Sequence, residues 1–150
     1  MPARRRLLAA ASTALALAVL TGCEKPAPLV TLVSGGQSIY TQANTYCFEE
    51  GQTIDSGECA QRAQGRTRLE VRPGELVGVD VGKDLVERGW RIRLGNDENP
   101  ANTSPVIQGR HYFTFDAPGL PEEGAPFMVS TVDEQDAMTG VWLFQLVPRD

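Results

Sequence analysis

The segment TRLEV (67–71) and the segment WRIRL (90–94) alternate between uncharged, mostly apolar residues and charged ones, and this period of two constrains the chain more than any other feature. Thr67, Leu69 and Val71 share one face against Arg66, Arg68, Glu70 and Arg72. Trp90, Ile92 and Leu94 share one face against Arg91 and Arg93. Successive side chains on a strand point to opposite sides, so each segment reads as a strand with one face buried and one wet. Between them Pro73-Gly74 turns the chain into LVGVDV, where Val77, Val79 and Val81 form a second buried row. KDLVER, between Gly82 and Gly89, is expected to make one helical turn that Gly89 ends.

The same period continues to the C-terminus. HYFTF sets His111, Phe113 and Phe115 against Tyr112 and Thr114, FMVSTV follows, and the polar DEQDAMT separates it from GVWLFQLV. PVIQ is a further short strand candidate after the loop GNDENPANTSP, whose Asn, Asp, Pro and Ser content favours turns. Upstream, LVTLVSGGQSIY is expected to be a hairpin turning at Gly35-Gly36. Many short strands, regular turns and a tryptophan opening the third strand after Arg66 point to an all-β, immunoglobulin-like sandwich of about seven to nine strands. A cupredoxin-like barrel would carry a similar pattern.

The N-terminus sets the compartment. MPARRR precedes fourteen residues, Leu7 to Leu20, made only of Ala, Leu, Val, Ser and Thr, the charged and apolar regions of an export signal. A spanning helix needs about 20 apolar residues. The run ends at Leu20-Thr21-Gly22-Cys23, which resembles the bacterial lipobox, in which a lipid is attached to the cysteine and the chain is then cut before it. That resemblance implies a signal peptide over 1–22, lipidation of Cys23, a tether over 23–28 with the stiff sequence EKPAP, and one domain over 29–150 at the extracytoplasmic face of the cell membrane.

Of the three cysteines, setting Cys23 aside leaves Cys47 and Cys59 to pair in an oxidising compartment. They enclose a polar, glycine-bearing segment in which Asp55 and Glu58 have capping-box spacing and Gly65 could close a short helix. A short, helical, disulfide-closed insert is therefore expected. A metal pair is the weaker reading, because the chain has no second thiolate pair and a single histidine.

Beyond residue 22 eleven basic side chains face nineteen acidic ones, a balance of −8. Such a surface disfavours nucleic acid, and no cofactor is expected. Catalysis has little support either. His111 sits in register with two phenylalanines as a strand residue, and no G-x-S-x-G is present. Glu122-Glu123 and the trio Asp133, Glu134, Asp136 lack the spacing of a calcium loop and read as solvated turns. Two function classes follow: a tethered binding or assembly module that recognises an envelope protein or polymer, or a carboxylate-based hydrolase or small-ligand carrier. The absence of a nucleophile and base pattern favours the first.

The lipobox, the Cys47 and Cys59 pair, VRPGE followed by GVDVG, RGW and the terminal GVWLF together resemble an actinobacterial lipoprotein family defined by a domain of unknown function. The resemblance spans the mature chain. It implies a single envelope domain and carries no activity or site residue.

GVWLFQLV is apolar on both faces. Trp142, Phe144 and Leu146 are expected in the core, with Val141, Leu143, Gln145 and Val147 opposite. The LVTLVSGGQSIY hairpin is the expected cover for Val141 and Leu143. Failing that cover, those two residues mark an interaction face.

Overall fold

A computed structural model of the chain describes residues 25–95 and 102–150. Cys23, the segment 1–22 expected to be a signal peptide and most of the GNDENPANTSP loop lie outside the described residues. In chain order the strands are β1 (Leu29–Ser34), β2 (Gln37–Gln42), β3 (Thr45–Tyr46), β4 (Ala60–Gln61), β5 (Thr67–Val71), β6 (Leu76–Val81), β7 (Trp90–Leu94), β8 (Tyr112–Asp116), β9 (Ala125–Val132) and β10 (Met138–Pro148). A 3-10 turn covers Ile54–Ser56, and helix α1 covers Lys83–Arg88.

These strands form two sheets. One has the order β2-β1-β6-β8, and the other has the order β4-β3-β10-β9-β7 with β5 also paired to β10. The pairing of β5 with β10 is parallel, Phe144 opposite Thr67 and Pro148 opposite Val71, whereas the other pairs are antiparallel. The architecture is an immunoglobulin-like β-sandwich with a disulfide-closed insert; among the described residues it has eight strands of five residues or more and two of two residues.

The buried rows are those that alternation selects. Leu69 and Val71 of β5, Val77, Val79 and Val81 of β6, and Trp90 and Ile92 of β7 are all buried. Trp142, Phe144 and Leu146 are fully buried and face the core as expected. Phe127 links the layers, stacked on Phe115 at 5.3 Å between ring centroids and tilted against Phe144 at 6.3 Å. Each buried indole finds an acceptor, Trp90 Nε1 donating to Arg110 O at 3.0 Å and Trp142 Nε1 to Pro28 O at 2.9 Å. The second bond, with Ala27 buried, docks the chain onto the sandwich ahead of β1.

Three local expectations differ from the structure. PVIQ forms no strand: Ile107 makes one isolated bridge with Trp90, because Pro105 has no N–H to donate and Gly109, at φ 66°, turns the chain two residues later. The bridged insert carries only a 3-10 turn. Thr53, not Asp55, precedes that turn without a side-chain cap, and Gly57 ends it in the left-handed region at φ 74°, well before Gly65. His111 lies just outside β8 and is exposed, its Nδ1 3.1 Å from Val81 O.

Candidate binding groove

The disulfide joins Cys47 to Cys59 and holds the insert against the end of β3. Arg88, in the last turn of α1, locks the same segment from the other side. Its guanidinium donates to Cys47 O at 2.8 Å and lies 4.9 Å from the Tyr46 ring centroid. Tyr46 in turn meets Phe48 edge-on at 5.0 Å and Trp142 at 5.9 Å, so the aromatic floor is anchored in the core.

Above this floor opens a groove of about 800 Å³. Its walls come from the insert, from α1 and from the β9–β10 turn. Six carboxylates line it: Glu49 and Glu50 from the insert, Asp84 and Glu87 from α1, Asp133 and Glu134 from the turn. Lys25 and Arg88 are the basic residues of the lining. The Lys25 Nζ stands 5.8 Å from the Phe48 ring centroid, so a cation already rests on this floor. Burial pushes the Tyr46 phenol above its ordinary range, Arg88 opposes that shift, and Asp84 adds to it. The groove can accept a positively charged, partly apolar group. His111 does not line it.

The three acidic residues of the trio have separate roles. Asp133 Oδ1 accepts from Gln135 N at 2.9 Å and from Ala137 N at 2.8 Å, which shapes the turn, and Asp136 pairs with Arg91 at 2.9 Å. Glu134 projects at the groove wall and is exposed. Among the described residues no three His, Cys, Asp or Glu side chains are arranged to hold a metal ion. No helix among them is long and apolar enough to cross a membrane.

Val141 and Leu143 are half-buried on the outer face of the sheet that contains β10, far from the expected cover. The β1–β2 hairpin belongs to the opposite sheet. Val30 and Leu32 pair with Val81 and Val79 of β6, and these apolar residues share the inward side, so the hairpin faces the other surface of β10. On the outer face the cross-strand neighbours of Val141 are Thr45 and Ser130, and Leu143 stands opposite Met128.

The groove residues Tyr46, Phe48, Asp84 and Arg88 carried little signal in the sequence. Only the disulfide flanking Tyr46 and Phe48, and the helix holding Asp84 and Arg88, marked their neighbourhoods.

A scan against protein-family models gives no match, and a search of curated proteins gives none either. Among solved structures the chain is similar to the fibronectin(III)-like modules of Clostridium thermocellum CbhA, at 8% identity and TM-score 0.41, covering 58% of this chain and 92% of that one. It is also similar to the extracellular domain of a one-component system from B. thetaiotaomicron, at 9% identity and TM-score 0.42. That likeness covers 83% of this chain and 16% of the other.

Proposed function

We propose that the protein is a lipid-anchored, extracytoplasmic binding module of the cell envelope, held to the membrane through Cys23, whose groove docks a cationic segment of another envelope protein. The observation that carries this reading is the groove itself. Six carboxylates surround a floor of Tyr46 and Phe48, and the basic residues of the lining are each already placed over one of those rings. The excess of six carboxylates over two basic residues in the lining favours a basic, partly apolar partner through electrostatic steering.

The anchor and the groove are tested separately. Cys23→Ala should release the protein from the membrane fraction, and intact mass of the wild type should show a lipidated N-terminal Cys23. Retention of Cys23→Ala in the membrane with an unchanged cleavage site defeats the anchor. For the groove, a photo-crosslinker at Glu134 should capture a neighbour from intact membranes, and Asp84→Lys with Glu87→Lys should abolish that capture. Equal capture by the reversed-charge variant defeats the docking assignment.

A further inference from the structure

The chain that leads back to Cys23 runs out from the groove. Lys25 is the first described residue, lines the groove, and holds its Nζ 5.8 Å from the Phe48 ring centroid. Behind it Ala27 is buried and Pro28 O accepts from Trp142 Nε1, so the chain is fixed against the sandwich on its way into β1. Glu24 alone separates Lys25 from Cys23. Two residues of extended chain reach at most about 7 Å.

The groove walls lie at this same end of the sandwich. Val30, at the start of β1, stands opposite Val81, after which the chain enters α1 through Gly82. Tyr46, from which the insert departs, pairs with Gly140 near the start of β10, and the β9–β10 turn immediately precedes that strand. A lipid on Cys23 would therefore hold the groove at the bilayer surface, however the domain pivots on its tether. The headgroup layer is only about 5–8 Å deep on each side of a bilayer, so chain that flanks a membrane span emerges at this level.

Charge and access narrow the occupants. Anionic headgroups meet six carboxylates and are repelled. A protein free in solution would have to enter the space between the domain and the bilayer. A basic segment at the end of a membrane span is delivered there by the span itself, so its encounter with the anchored groove takes place at high effective concentration. A groove of about 800 Å³ has room for several of its side chains. Lys and Arg are comparatively sparse on the extracytoplasmic side of membrane spans, so the carboxylates would select few partners. We infer, on the basis of the anchor and the groove proposed above, that the docked partner is an integral membrane protein and that the docked segment is the basic stretch at the outer end of one of its spans.

The experiment places the lipidated protein in phosphatidylcholine vesicles with a Lys-flanked Leu/Ala transmembrane peptide, and reads covalent capture of the peptide by a photo-crosslinker at Glu134. A second form carries about 20 Gly and Ser residues inserted between Glu24 and Lys25, a flexible span of roughly 25 Å that leaves the lipid, Lys25 and the groove unchanged. The short tether should reach half-maximal capture at about tenfold lower peptide density than the long one, because effective concentration falls roughly as the −3/2 power of tether length. Asp84→Lys with Glu87→Lys should abolish capture at both lengths. A water-soluble peptide with the same lysines arrives from bulk solution and should be captured equally by both forms. Equal capture of the transmembrane peptide at the two tether lengths overturns the inference, as does labelling of lipid in place of peptide, which identifies a headgroup as the occupant. Capture of the soluble peptide alone, still dependent on Asp84 and Glu87, overturns the membrane-flanking assignment and leaves the docking groove standing. Capture of neither peptide overturns both.

Discussion

Asn44 Oδ1 accepts the backbone N–H of Leu143 at 2.8 Å, and this bond fills a break in the edge of β10. β3 pairs with β10 at Gly140 and Val141, whereas β5 pairs with it from Phe144 onward. Leu143 falls between the two partners. Asn44 spans the gap, with its own N–H donating to Val141 O at 2.8 Å and its Nδ2 to Gln64 O at 3.3 Å. One buried amide therefore joins three segments that have no common strand.

Asn44→Ala should accordingly cost more than a typical surface change. It removes the acceptor for Leu143 N and the donor for Gln64 O in a site only 9% exposed. Leaving those groups unsatisfied should cost about 1–3 kcal/mol. Thermal melting should register this as a drop of several degrees, at about 2–4 °C per kcal/mol for a chain of this size. A melting temperature equal to wild type would show that another group takes over the Leu143 N–H.

The Cys47–Cys59 bridge should contribute about 3 kcal/mol, because it closes a short loop and restricts the unfolded chain. Cys47→Ala with Cys59→Ala should lower the melting temperature by that equivalent. Hydrogen exchange should quicken first in residues 48–58, where the hydrogen bonds from Arg88 to Cys47 O and Phe48 O and the contact of Phe48 with Tyr46 would be left to hold the insert. Uniform loss of protection across both sheets would mean that the bridge supports the sandwich itself.

Glu75 makes stability depend on pH on the acid side. The Arg72 backbone N–H, at 2.9 Å from Glu75 Oε2, is the main cause that holds its carboxyl below the ordinary value of 4.5, aided by the Arg149 guanidinium. A lowered pKa in the folded state means that the folded chain binds the proton less readily than the unfolded one. The contribution of Glu75 is therefore complete above about 4.5 and is lost as pH falls through the lower folded value. Glu75→Gln should flatten the acid limb of a plot of melting temperature against pH while changing the neutral region less. An unchanged acid limb would remove Glu75 from the titration.

Alternation made the two-sheet fold legible, because burying one face of TRLEV, LVGVDV or WRIRL fixes which side each residue takes. The hairpin at Gly35-Gly36 and the helix ended by Gly89 were legible through their glycines, all three of which adopt positive φ. Which sheet a strand joins was not, since periodicity is identical in either layer. For that reason the hairpin was expected over Val141, whereas β1 pairs with β6 on the far side of the core. The groove was illegible for a related cause. Tyr46, Arg88 and Glu134 meet only after β3, α1 and the β9–β10 turn are gathered at one end, and no local pattern records that meeting.

The final prediction separates the two faces of β10. Trp142 is fully buried, in contact with Tyr46 and bonded to Pro28 O, so Trp142→Ala should cost about 3–5 kcal/mol through the cavity it leaves. Val141 and Leu143 alternate with it on the outer face and are half-buried. Replacing both with Ser removes part of two side chains from a surface already open to water and lowers strand preference. A combined cost of roughly 1–3 kcal/mol follows, smaller than that of the single tryptophan. Melting curves of Trp142→Ala and of the double variant, measured side by side with recovery of membrane complexes, decide the role of this face. A near-native melting temperature with lost complexes makes Val141 and Leu143 an interaction surface. A drop as large as that of Trp142→Ala would instead show that the outer face is packed as tightly as the core, and would end its candidacy as a docking surface.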